Sequence, residues 1–268
     1  MAETLGKLVS LGGFLSRRKA ETAVRSGRVR IGGAVVLNPA ERIAPGMQVT
    51  LDGRILEIPE TREKWYIMLN KPEGCTCTAS DPHARKRALD LIVPAPPVRL
   101  FSVGRLDKES RGLLLFTNDG EFAEKITHPR NRIVKRYEVK LAGDLSPEAR
   151  RRMLTGIRDG GEELRVLAVR SLGGARYELR LNEGKKREIR RLTAALGVPT
   201  LELERKAVGA LELGGLPRGA WRRLTKEEVA LALMPEPGAS RAAPGTEEAP
   251  PGISVPGGDD FRDGTKGR

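Results

Sequence analysis

The chain has 268 residues and is strongly basic, with 48 Lys and Arg against 35 Asp and Glu and a formal net charge of +13. Such an excess indicates a polyanionic partner, usually nucleic acid and less often anionic lipid. No apolar run approaches the ~18 residues of a membrane span, and residues 1–15 lack a signal-peptide pattern. We therefore expect a cytoplasmic protein without a membrane partner.

The chain has few cysteine and histidine residues, the types that form disulfides or bind zinc. Two cysteines, Cys75 and Cys77, are too few for a disulfide framework. With only two histidines in the chain, a four-ligand zinc site would need carboxylates as well. We expect ordinary thiols and no metal.

Residues 1–58 predict a small basic module. Apolar residues at helical spacing predict one helix, and Ser16 is placed to cap a second over residues 17–26. Glycine-containing turns predict hairpins at 29–37 and 49–58. The second helix has small apolar residues on one face and basic residues opposite, which gives three candidate RNA contacts, Arg17, Arg18 and Arg25. Arg28, which follows the helix, is a fourth candidate. The alternative is an ordinary solvated helix face.

A polar linker is predicted at 59–64, a second domain at 65–234 and a disordered, Pro- and Gly-rich tail at 235–268. The second domain mixes strands with few helices, which favours an α+β fold. Strands are predicted at 65–69, 113–116, 135–141, 164–169, 177–181, 201–206 and 210–213. Helices are predicted at 121–126, from 147, at 185–196 and at 225–234.

The most informative stretch runs from Gly104 to Gly120 and reads GRLDKESRGLLLFTNDG. It places Asp107 in a loop just before a strand that should be buried, a position that suits chemistry better than packing. The alternative is that Asp107 only caps a turn or pairs with Arg105.

This stretch resembles the signature of RsuA/RluB-type ribosomal RNA pseudouridine synthases, with its GRLD box and its Gly-Leu-Leu-Leu-x-Thr-x-Asp-Gly tail. Ser16-Arg17-Arg18 to Gly27-Arg28-Val29 likewise resembles the S4 RNA-binding domain. The resemblance implies a small S4-like domain followed by a pseudouridine synthase domain with a mixed, mainly antiparallel sheet and a cleft across one face.

The same resemblance implies roles for individual residues. Asp107 would be the catalytic carboxylate, and Tyr137, in Lys135-Arg136-Tyr137, would stack on the detached uracil. Arg190, in Arg-Glu-Ile-Arg, would pair with Asp107, and on a helical wheel it lies at the margin of the apolar stripe. Arg105 would fill the gap left by the flipped base, its alternative being an ion pair with Asp119 or another surface acid. RNA contacts are also expected from Lys185, Lys186 and Arg187.

Converting uridine to pseudouridine breaks the C1′–N1 bond, rotates the uracil and joins C1′ to C5, and this chemistry requires no cofactor or metal. We expect a monomeric isomerase acting on ribosomal RNA or a ribosomal precursor, with a large-subunit target favoured. The alternative is a non-catalytic S4-type RNA-binding or ribosome-associated protein.

Overall fold

The computed structural model describes residues 3–12, 15–44, 46–57, 63–77, 86–96 and 98–235. The chain divides into two compact units. The N-terminal unit comprises Met1–Trp65 with Pro96–Arg99, and the C-terminal unit comprises Tyr66–Ala95 with Leu100–Arg268. The predicted linker at 59–64 lies largely, and the predicted tail almost wholly, outside the described residues, so these bounds stay predictions.

The N-terminal unit packs two helices against short antiparallel strands. Its helices are α1 (Leu5–Gly12) and α2 (Arg17–Arg25). Its strands, within the described residues, are β1 (Glu3–Thr4), β2 (Val29–Ile31), β3 (Ala34–Val35), β4 (Arg42–Ile43), β5 (Val49–Leu51) and β6 (Arg54–Ile55). One sheet has the order β3-β2-β5-β6, and β1 pairs with β4.

Local signals explain α2. The Ser16 hydroxyl accepts a hydrogen bond from the Lys19 N–H at 3.3 Å, as an N-cap does, and Gly27 follows the helix in a left-handed conformation. Ala20, Ala23 and Val24 are buried in the core of this unit. The capped helix and both hairpins are as predicted.

The C-terminal unit is built on a mixed sheet. Its strands, in the described part of the chain, are β7 (Tyr66–Lys71), β8 (Phe101–Val103), β9 (Arg111–Thr117), β10 (Lys135–Leu141), β11 (Ile157–Asp159), β12 (Glu162–Leu164), β13 (Ala168–Gly173), β14 (Arg176–Leu181), β15 (Thr200–Val208), β16 (Leu211–Glu212) and β17 (Trp221–Arg223). Its helices are α3 (Gly120–Thr127), α4 (Pro147–Thr155), α5 (Glu188–Ala195) and α6 (Lys226–Leu233).

The main sheet has the order β13-β14-β10-β15-β9-β7-β17, with β16 on β15 and β8 on β9. Among these described strands only β9 and β15 pair in parallel, and the other pairs are antiparallel. The predicted α+β class and the mixed, mainly antiparallel sheet are confirmed. No helix in the described ranges is long and apolar enough to cross a bilayer.

Two local predictions were wrong. The strand predicted at 164–169 is divided between β12 and β13, because the Val166 N–H donates to the Met153 carbonyl beside α4 and the Leu167 N–H to the Arg180 carbonyl. The helix predicted from 185 begins at Glu188 instead. The buried Glu188 carboxylate accepts the Lys185 N–H at 2.9 Å and holds the preceding residues in a turn.

Candidate active site

The candidate catalytic carboxylate lies in the loop between β8 and β9. Asp107 is half-buried, between the buried Leu106 and the exposed Lys108. The Ser110 N–H donates to the Asp107 carbonyl at 3.1 Å, which closes a turn. Within the described residues, the Asp107 carboxylate has no ion pair within 4.0 Å and no hydrogen bond, so it is available to a ligand.

A buried lysine at the end of β7 donates hydrogen bonds to the backbone of this loop. Lys71 is fully buried, and its ammonium donates to the carbonyls of Ser110 at 2.7 Å and of Asp107 and Pro72 at 3.1 Å. Burial lowers the pKa of Lys71, and the neighbouring thiols and carboxylates oppose that effect. The sequence analysis missed this anchoring role. A lysine that ends an apolar strand was the available signal.

The segment after β7 also contacts the loop. The Cys77 Sγ lies 3.3 Å from the Leu106 N and 3.2 Å from the Leu106 carbonyl oxygen, and the Gly74 N–H donates to the Lys108 carbonyl at 2.8 Å. Cys75 and Cys77 are both free thiols. Backbone contacts thus fix the loop on both sides of Asp107.

Helix α5 also contacts this loop, through Arg190 and Arg187. The Arg190 guanidinium donates to the Glu109 carbonyl at 3.0 Å and to the Thr200 carbonyl at 3.3 Å. Arg187 forms an ion pair of 2.9 Å with the Glu109 carboxylate. The Arg190 Nε–H is buried and has no acceptor among the described residues. Arg190 therefore contacts the Asp107 loop through its backbone, and within the described residues no ion pair joins it to the carboxylate.

Strand pairing sets the position of Tyr137. Arg205 on β15 pairs with Gly112 on one side and with Tyr137 on the other. Two strand spacings put the backbones of Gly112 and Tyr137 about 10 Å apart. Tyr137 is half-buried and packs against the apolar cluster of β10, β14 and α5. Tyr137 therefore lies on the strand pair next to the loop, and within the described residues no hydrogen bond joins it to Asp107.

The basic residues expected to bind RNA fall into two groups. Four are exposed and, within the described part of the chain, have neither an ion pair nor a side-chain hydrogen bond to the protein: Arg17, Arg18, Arg105 and Lys186. The other four have protein acceptors: Arg25 with Glu21, Arg28 with Asp52, Lys185 with Glu183 and Arg187 with Glu109.

The suggested Arg105–Asp119 ion pair is not formed. One Asp119 oxygen instead caps α3 through the Glu121 N–H at 3.0 Å, and the other accepts from the Tyr66 hydroxyl at 2.8 Å. The exposed Arg105 guanidinium, two residues before Asp107 in sequence, has no partner among the described residues and can contact a polyanion.

Two family models match the chain. Residues 5–49 match the S4 domain, and residues 65–195 match the RNA pseudouridylate synthase family. The fold and the site thus define an RNA-modifying enzyme that carries its own RNA-binding domain.

Individual relatives narrow this class. Several curated relatives are named ribosomal large subunit pseudouridine synthase B, and two of them illustrate the match. The one from Bacillus subtilis (strain 168) is 36% identical over 233 residues, which cover 85% of this chain and 94% of the relative. The one from Salmonella typhi is 34% identical over 232 residues, which cover 84% of this chain and 80% of the relative. A crystal structure described as a pseudouridylate synthase, with 28% identity and a TM-score of 0.62, aligns over 85% of this chain and 99% of its own. The chain belongs to the RNA pseudouridine synthase family and is an isomerase of the RsuA/RluB type with an N-terminal S4 domain.

Proposed function

We propose that this protein converts a specific uridine of ribosomal RNA, in the large subunit by preference, to pseudouridine, with Asp107 as the catalytic carboxylate. The names of the relatives support the choice of RNA, and the geometry around Asp107 supports the choice of residue. Lys71 on β7 and Arg190 on α5 both donate to backbone carbonyls of the Asp107 loop. That convergence is the observation that carries the proposal, because it fixes the backbone while the carboxylate stays unpaired among the residues that the structure describes.

Asp107 would act on the ribosyl group of the flipped uridine, either as a nucleophile at C1′ or as a base on the sugar. The buried Arg190 Nε–H needs an acceptor, since an unsatisfied buried donor costs free energy. The Asp107 carboxylate supplies that acceptor when bound RNA closes the site. An opposite charge there favours the ionised carboxylate that either role requires.

Tyr137 would hold the detached uracil by stacking while it rotates, so that C5 rather than N1 faces C1′. Removing a base from its stack costs a few kcal/mol, and Arg105 would fill the vacated position. In this assignment the remaining cations other than Arg187 bind phosphates. Arg17, Arg18 and Lys186 do so without giving up a protein partner among the described residues, whereas Arg25, Arg28 and Lys185 would have to exchange a carboxylate for a phosphate.

The test is a tritium-release assay on large- and small-subunit rRNA labelled at C5 of uridine, because joining C5 to C1′ displaces the C5 hydrogen. Asp107→Asn keeps the side-chain shape and removes the charge, so it should abolish release while RNA binding persists. Asp159→Asn, a carboxylate on β11 that pairs with Arg191, is the matched control and should stay active. An active Asp107→Asn variant refutes the catalytic assignment. A wild-type protein that binds rRNA without releasing tritium would support the non-catalytic alternative.

A further inference from the structure

Arg187 occupies a position that disfavours arginine in two ways. It has left-handed backbone angles, φ 53° and ψ 32°, which are uncommon for residues other than glycine, asparagine and aspartate. It is also the N-cap of α5, where Ser, Thr, Asp and Asn are preferred, and its side chain does not cap the helix. Local preference alone would not select arginine here, which directs attention to the contacts that its side chain makes.

The Arg187 side chain contacts a residue that is distant in sequence. Its guanidinium pairs with the Glu109 carboxylate at 2.9 Å, although 78 residues separate the two positions. Both side chains are about half exposed, at 44% and 54% of their surface. An ion pair so exposed adds little to folding stability. Its location, two residues from Asp107, is therefore more informative than its energy.

Glu109 contacts Arg190 as well as Arg187. The Glu109 carbonyl accepts from Arg190 at 3.0 Å while its carboxylate accepts from Arg187. One turn of α5 is thus tied to one residue of the catalytic loop at two points. The Glu109 backbone N–H, and then the Arg187 guanidinium, hold the pKa of the Glu109 carboxyl below its ordinary value, so the ion pair persists at neutral pH.

We infer that Glu109 and Arg187 are positioning residues that hold the Arg190 guanidinium and the Asp107 loop in register for the reaction. Glu109 was not singled out from the sequence, and Arg187 was expected to bind phosphate instead. This inference rests on the proposed catalytic role of Asp107. It predicts that the Glu109–Arg187 pair affects the rate of the chemical step and not the affinity for RNA.

The kinetic test is a double-mutant cycle of Glu109→Gln, Arg187→Gln and the double variant. Misplacement of catalytic groups by about 1 Å costs up to ~100-fold in rate, so each single variant should lower kcat by about 10-fold or more with KM for RNA nearly unchanged. The double variant should be no slower than the singles, because both break one interaction. The control is Arg130→Gln, which breaks an exposed ion pair with Glu124 and should leave kcat unchanged.

Direct binding of an RNA phosphate by Arg187 predicts the opposite pattern. Arg187→Gln would then raise KM, and the slope of log affinity against log salt would become shallower by roughly 0.7–0.9, the range for single- and double-stranded nucleic acid, for the phosphate that is no longer neutralised. Glu109→Gln would free the guanidinium and lower KM. Either result, or additive kcat effects, overturns the inference.

Amide hydrogen exchange in the free protein separates this inference from the proposed function. The Ser110 N–H that donates to the Asp107 carbonyl should exchange faster in both single variants and not in Arg130→Gln. Unchanged exchange overturns the positioning role. Faster exchange in an enzyme that releases no tritium from any rRNA supports the positioning of the loop and rejects the proposed function.

Discussion

Replacing Gly112 by alanine should separate β9 from β15 at the only parallel pair within the described strands. Gly112 has φ +102°, and a Cβ there would lie 2.7 Å from the backbone nitrogen of Arg205 and closer still to its carbonyl oxygen. These are backbone atoms of a central strand, so no side-chain rotation relieves the overlap. Positive φ costs an L-residue ~1–2 kcal/mol, and overpacking that shifts backbone costs ~1–3 kcal/mol more. The expected decrease in unfolding free energy is therefore ~2–5 kcal/mol.

A decrease of that size is a large fraction of the ~5–15 kcal/mol that stabilises a typical domain. Urea unfolding followed by tryptophan fluorescence measures it. The matched control is Gly161→Ala, in the turn between β11 and β12. Gly161 has φ +79° and no atom within 4 Å of the added Cβ, so it carries only the backbone strain. Equal destabilisation by the two variants would refute the steric argument and leave φ as the whole cause.

Three further outcomes are expected. Lys71→Met leaves the carbonyls of the Asp107 loop without their buried donor, so unfolding free energy should fall by ~3 kcal/mol and kcat should fall with it; normal values for both contradict the anchoring role. Burial, and then Arg205, lower the pKa of Lys135 from 10.5 to about 8. The folded state therefore binds fewer protons than the unfolded state between these values, and unfolding free energy should rise by ~3 kcal/mol from pH 8 to 10.5. Urea unfolding across that range should show no such rise in Lys135→Met. Thr225→Ala removes the capping box that Thr225 forms with Glu228 and should lower unfolding free energy by ~1 kcal/mol, measured in the same way; an unchanged midpoint would exclude a stabilising cap.

Features that depend on residues close together in sequence could be predicted from the sequence alone. Ser16, Ser146 and Thr225 cap the helices that follow them. Each cap has a local signal, such as Pro147 directly after Ser146 or Glu228 three residues after Thr225. The hairpins of the N-terminal unit follow from Gly-Gly and Asp-Gly pairs. Where a local signal competed with a distant partner, as at the buried Glu188, the predicted helix boundary was wrong.

The sequence alone determined the basic charge, the two kinds of domain and, through the GRLD resemblance, which carboxylate to consider. Only the tertiary structure decided which residues hold the loop of that carboxylate: Lys71, which donates to its backbone carbonyls, and Glu109, which contacts both Arg187 and Arg190. The physical reason is the separation in sequence between the residues that interact. Caps and turns are satisfied by neighbours along the chain and leave a local pattern, whereas the Glu109–Arg187 pair joins positions 78 residues apart and exists only once the sheet brings α5 and the β8–β9 loop together.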